Sequence, residues 1–317
     1  MRLLNLPIPM QAASDFPIIQ YADDTLIVME GDPRQLFFLK TLLYNFSEST
    51  GLKVNYNKSM MLPINISEER LDLLARTFGF TKETLPFTYL GLPLGITKPK
   101  ISDYLPLVNK CERRLGGVSS MLNHAGRLQI TNAVLSSLPT YYMCSLVIAP
   151  SVIHQIDRFR KHCIWSKGDI SRRGTYLAAW ELMCRPKEEG GLGIINIQNQ
   201  NSALLMKFLD KFYNHADAPW VNLTWAKLYH NSNIPPHARS LCGSFSWKDI
   251  IKLFGKFKVL ASCDPGSGAS VSLWSDNWSG QSLELSLPHL FSFSRKKNCS
   301  IQFYIENDLN RSFFLPL

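Results

Sequence analysis

The chain has 317 residues, 45% of them apolar, and 34 Lys/Arg against 25 Asp/Glu for a formal net charge of +9. That balance excludes a disordered polymer and supplies core enough for two domains or three small ones. The longest apolar-looking stretch, Leu138 to Pro150, is broken by Thr140, Ser145 and prolines and covers about 13 residues, short of the roughly 20 that span a bilayer, so no transmembrane helix is expected.

The N-terminal third alternates strand and helix signals. Phe16 to Tyr21 and Thr25 to Met29 are two β-rich apolar runs separated by Ala22-Asp23-Asp24, which predicts a hairpin with two acids at its tip. Asp32 is placed to cap a helix that begins at Pro33, carries Leu36, Leu39, Leu43 and Phe46 at helical spacing, and ends at Gly51. Gly51 to Ser59 reads as turn, short strand and polar loop. Ser67 opens a second helix with Leu71, Leu74 and Phe78 on one face and Gly79 past its end. Phe87 to Gly95 reads as an apolar strand with glycines suited to a tight hairpin or a close backbone approach.

From Ser102 to Trp165 the pattern turns helical, with Leu128, Val134 and Leu138 in one segment and Val152, Ile156, Phe159 and Cys163 in another. Lys167, Arg172 and Arg173 mark an exposed connection, Glu188 to Gly193 a turn, and Asn199 to Tyr213 a further helix. The remainder, rich in Trp, Ser, Gly and Pro, is poorly specified by pattern, and its tryptophans are expected in the core. Seven scattered cysteines without a C-x-x-C pair read as reduced thiols, and Pro7 and Pro9 interrupt any leader, so an intracellular protein, nuclear or cytoplasmic, is expected.

Charge is unevenly spread. Residues 1 to 97 sum to −2, residues 98 to 187 to +9 and residues 188 to 317 to +2. A basic middle third suits either a solvated face or a surface that lies along a phosphate backbone. Adjacent carboxylates at the tip of an apolar hairpin suit an ordinary turn or a hard divalent cation, whose remaining positions go to water and phosphate.

Tyr21-Ala22-Asp23-Asp24 between two apolar strands resembles the Y-x-D-D motif of reverse transcriptases. Gly51 to Ser59 looks like the palm motif that follows, and Tyr89-Leu90-Gly91-Leu92-Pro93-Leu94-Gly95 like the primer-grip hairpin. The wording of these blocks is similar to that of non-LTR (LINE-type) retrotransposon reverse transcriptases of plants, and the likeness continues through Gly126-Arg127-Leu128, Ala179-Trp180 to Leu192-Gly193, and Trp274-Ser275-Asp276-Asn277-Trp278. The resemblance implies an α+β chain: the C-terminal half of a polymerase palm over 1–97, a helical thumb over 98–166, and a mixed, mainly helical region over 167–317.

It further implies RNA-directed DNA polymerase chemistry, in which two Mg2+ or Mn2+ ions about 3.5 to 4 Å apart serve an in-line displacement on an RNA template and DNA primer with a deoxynucleotide. Asp23 and Asp24 would be its metal carboxylates. Lys58 would assist the pyrophosphate leaving group, Tyr21 would pack near the primer end, and Leu90 and Gly91 would hold the primer backbone. Arg113, Arg114 and Arg127 are the expected phosphate contacts of the thumb. The chain departs from the pattern at one point: the family's further palm aspartate lies well upstream, whereas here only 20 residues precede Tyr21 and Asp15 is the sole acid among them. The expectation is therefore a catalytically incomplete polymerase fragment, with a non-catalytic RNA/DNA-binding remnant as the alternative.

Overall fold

A computed structural model describes residues 18–115, 121–166, 176–229, 243–307 and 313. It is an α+β structure of many helices and three two-stranded sheets, two antiparallel and one parallel. Contacts divide it into two compact units, Met1–Thr97 and Lys98–Leu317, a division that falls where the net charge of the sequence changes sign.

In the first unit, β1 (Ile18–Tyr21) and β2 (Asp24–Ile27) form the expected hairpin, with Tyr21 opposite Asp24. Asp15, Phe16 and Pro17 lie outside the described residues. Helix α1 (Pro33–Thr50) starts on its proline, whose missing N–H costs nothing in the first turn, and stops where Gly51 turns left-handed at φ 74°. Helix α2 (Glu68–Phe78) ends in the same way at Gly79, φ 73°. Gln35, Leu36 and Leu39 are the buried residues of α1, and Leu36 packs with Leu74 and Phe78 of α2. Phe46, expected on the inner face, is 48% exposed, because no described residue buries the last turns of the helix. The short strand expected within Gly51 to Ser59 forms one step later, as β3 (Met60–Met61), which pairs in parallel with β4 (Thr81–Lys82). Finally β5 (Phe87–Tyr89) and β6 (Leu92–Leu94) close a hairpin through Leu90 and Gly91.

The second unit is helical. A short 3-10 turn (Ile101–Tyr104) leads into α3 (Leu105–Leu115); α4 (His124–Ile130) runs into a π-helical turn (Thr131–Leu135); α5 (Thr140–Met143) and α6 (Pro150–Trp165) follow. Tyr104, Leu107, Cys111, Leu115, Leu135, Met143, Val152, Ile156 and Cys163 make the main core, so the stripe read on α6 does face inward. The connection carrying Lys167, Arg172 and Arg173 lies outside the described residues.

Next come α7 (Trp180–Met183), the glycine turn with Gly190 at φ 79° and Gly193 at φ 64°, and α8 (Ile197–Tyr213). Helix α8 gives Ile197 to the main core, and Leu205, Leu209 and Phe212 to an aromatic core with α9 (Pro219–Leu228), α10 (Phe245–Ile251) and α11 (Phe254–Leu260). Asn201 fastens it: its amide donates to the Met143 and Leu146 carbonyls at 3.0 and 2.9 Å, and its oxygen accepts from the Ile148 N–H at 2.9 Å. Such a fully satisfied buried amide fixes one packing of the helices.

Helices α12 (Leu283–Ser286), α13 (Pro288–Phe293) and α14 (Ile301–Glu306) complete the described chain around Trp274, whose Nε1–H reaches Ser294 Oγ at 3.1 Å and the Tyr304 hydroxyl at 2.9 Å. Of the tryptophans expected in the core, Trp247 and Trp274 are fully buried and Trp220, Trp225 and Trp278 partly so. No helix among the described residues is long and apolar enough to cross a membrane.

Candidate functional site

The β1–β2 hairpin turns on two residues, Ala22 and Asp23, and Ala22 takes a left-handed φ of 52° to make the corner. This strains a non-glycine residue but reverses the chain tightly enough to put Asp23 on the tip and Asp24 at the first position of β2. Both carboxylates are exposed, and no described lysine or arginine pairs with either. Two hydrated, unneutralised acids on one tight turn repel one another, and a divalent cation with oxygen ligands relieves that repulsion. The pair fits one hard cation that keeps most of its coordination sphere for water and phosphate. It does not by itself fit two: among the described residues no group of three or more His, Cys, Asp or Glu is placed to hold a metal.

The strands behind the turn are exposed as well. Ile18, Ile19 and Tyr21 are 43%, 47% and 63% accessible, so Tyr21 offers an open ring rather than a core contact. Lys58 sits in a turn over 56–58, where its N–H meets the Asn55 carbonyl at 3.1 Å. Its side chain is exposed and forms no hydrogen bond or ion pair with Asp23 or Asp24. Leu90 and Gly91 occupy the corners of the β5–β6 hairpin at φ 49° and 78°, the mirror-image geometry that two-residue hairpins favour. Gly91 adopts it freely, whereas Leu90 is held there against its own preference.

Arg113 and Arg114 lie exposed in the last turn of α3, where cations also complement the helix dipole. Arg127 does not join them. It is 3% exposed, and its Nη1 donates to the Ile164 carbonyl at 2.7 Å near the end of α6. A guanidinium spent on a buried carbonyl cannot reach a phosphate, so the expected contact at Arg127 is replaced by a structural tie between α4 and α6.

Lys110 on α3 and Arg158 on α6 are exposed cations that the sequence reading passed over, and α3 packs directly on α6. Their signal was available: Lys110, Arg113 and Arg114 recur at three- and four-residue spacing, and Arg158 falls between the inward positions Ile156 and Phe159. Only Glu112 opposes them in the open, because Asp157 is engaged by Arg160 at 2.6 Å. The helix pair therefore carries net positive charge at its exposed positions.

The motif Trp274-Ser275-Asp276-Asn277-Trp278 has a structural account. Asp276 Oδ2 accepts from the Ser272 N–H at 2.6 Å, the Lys258 ammonium pairs with the same carboxylate, and Trp278 Nε1–H donates to the Leu273 carbonyl at 3.0 Å.

No family model matches the chain. It is 29% identical over 188 residues to an Arabidopsis thaliana protein provisionally named a ribonuclease H protein. That match takes in 58% of this chain and 30% of the relative, so the chain spans well under two thirds of the protein it resembles.

Proposed function

We propose that the chain is part of a non-LTR retrotransposon reverse transcriptase, in which unit Met1–Thr97 is palm and the helices after Lys98 are thumb. On this reading it binds an RNA/DNA duplex and holds one side of a polymerase metal centre. The observation that carries the proposal is the β1–β2 turn, which exposes Asp23 and Asp24 together with no described lysine or arginine paired to either. The similarity to a protein named for ribonuclease H supports the broader half of the reading, a polypeptide that handles nucleic acid.

Each residue has a part in this scheme. Asp23 and Asp24 would hold a Mg2+ or Mn2+, which would supply charge neutralisation at a reacting phosphate. Leu90 and Gly91 present a bare backbone corner to the primer strand. Arg113 and Arg114, with Lys110 on the same helix and Arg158 on the packed α6, meet the duplex backbone by charge and shape. Because two carboxylates under-supply a two-metal centre and no further described residue joins them, this reading expects no primer extension by the chain alone.

The test uses poly(rA)/oligo(dT) with Mg2+ and dTTP. The expected result is salt-dependent binding without incorporation, with the salt slope reduced by roughly two when Arg113 and Arg114 are both replaced by Glu. Absence of binding at low salt would contradict the proposal. Robust incorporation abolished by Asp23→Asn would instead mean a self-sufficient enzyme.

A further inference from the structure

The aromatic core of the second unit ends in a layered stack. Trp225 lies flat on the buried ring of Phe212, with centroids 4.5 Å apart and planes 2° from parallel, and its Nε1–H donates to the Phe212 carbonyl at 3.1 Å. Tyr229 packs edge-on at 5.8 Å. The indole is thus held in plane by a ring, a hydrogen bond and a neighbour, and has little freedom to tilt. His215 lies nearly parallel to it at 4.5 Å and 18°. His215 and Phe212 make no ring contact with each other, which puts them on opposite faces of the indole. Among the described residues the outer face of Trp225 is therefore covered by a single imidazole.

That cover is unlike the rest of the core. His215 is exposed, stands in the short turn between α8 and α9, and holds a left-handed φ of 46°, a conformation a non-glycine residue rarely adopts. A five-membered ring covers only part of an indole, and a nucleobase overlaps more of it. The two helices that contribute Phe212 and Trp225 also carry exposed Lys207, Lys211 and Lys227, against exposed Asp217 and an Asp210 already engaged by Asn214 at 3.0 Å.

We propose that the outer face of Trp225 is a stacking site for a base of a single-stranded nucleic acid, and that His215 is the hinged cover this base displaces. The inference rests on the nucleic-acid reading above and gives it a second site, selective for unpaired bases where the α3–α6 face recognises only phosphates. Stacking on a fixed aromatic ring tolerates any base and strengthens binding by about five-fold or more per base.

The test compares a ten-residue oligo(dT) with an abasic strand of equal length and charge at low salt. The wild-type chain should prefer oligo(dT) by about five-fold or more. His215→Gly, which accepts the left-handed backbone and uncovers the indole, should widen that preference, and Trp225→Leu should abolish it while leaving abasic binding unchanged. Equal affinity for the two strands in the wild type, or an unaltered preference in His215→Gly, would overturn the stacking site and leave the phosphate-binding face standing. The glycine variant keeps the test decisive if Trp225→Leu does not fold. Failure to bind either strand would overturn both readings. Displacement of oligo(dT) by an equal concentration of dTMP would assign the slot to a free nucleotide and overturn the strand assignment.

Discussion

The two units of this chain are built to different standards. In Met1–Thr97 the described core closes around Leu36, Leu74 and Phe78, while apolar side chains on β1 and along α1, among them Ile18, Ile19, Phe37, Phe38, Leu42 and Phe46, remain in the open. In Lys98–Leu317 the helices share several cores, and their junctions are fixed by buried polar groups such as Asn201, Arg127 and Arg160. The difference separates the two halves of the proposed function. The acidic turn stands on a thinly supported hairpin, and the basic helix pair stands on the rigid part. On the proposed reading, the phosphate contacts are preorganised, whereas the acidic turn has no packed scaffold of its own among the described residues.

The contrast breaks first at Arg160. Its guanidinium is fully buried, pairs with Asp157 at 2.6 Å, donates to the Ile195 carbonyl at 2.5 Å and lies 5.2 Å from the Trp180 ring. Arg160→Ala strands an acid and a carbonyl at once, and should destabilise the second unit by about 3 to 5 kcal/mol. Urea unfolding followed by tryptophan fluorescence reports on that unit alone, since all seven tryptophans lie after Lys98. A smaller loss, about 2 to 4 kcal/mol, is expected for Leu74→Ala in the first unit. Hydrogen exchange should place that loss in α1 and α2 and leave α6 and α8 unchanged; protection falling equally in α8 would mean that the units unfold as one.

The smallest effect is at Asp249. Burial opposes its charge, but hydrogen bonds from Lys252 and Lys98 outweigh that cost and hold its carboxyl below the usual range. An unfolded aspartate takes up its proton near pH 4, roughly, and the folded one only at lower pH. The stabilisation is present at neutral pH and is lost as the pH falls through the folded value. Between pH 6 and pH 3 the urea midpoint should therefore drop further in the wild type than in Asp249→Asn.

Much of the first unit was legible because its signals are local. Pro33, Gly51 and Gly79 punctuate helices through backbone restrictions, the first hairpin follows from two apolar runs around Ala22-Asp23-Asp24, and the second from the glycines within Phe87 to Gly95, while the two-residue corners at Ala22-Asp23 and Leu90-Gly91 came from the structure. Phe46 misled because helical spacing identifies an apolar stripe without revealing whether anything covers it. Arg127 misled for the converse reason: its partner, the Ile164 carbonyl, is 37 residues away, and no periodicity announces a buried guanidinium. The π-helical turn at Thr131–Leu135 shifts the facing residues by one position and left no trace in composition. Beyond Tyr213 the described helices span only four to ten residues, too short for their stripes to register, and polar contacts such as those of Trp274 and Asp276 join the cores that hold them. The Trp225 stack was equally hidden, since it depends on the plane of a ring.

The proposed metal-binding role of Asp23 and Asp24 can be tested without any catalytic activity. With Mn2+ in place of Mg2+ and poly(rA)/oligo(dT) bound, paramagnetic broadening of amide NMR signals should concentrate at residues 20 to 25 and vanish in the Asp23→Asn, Asp24→Asn double variant. Signals at the turn that stay sharp, or broadening that persists in the double variant, would contradict it.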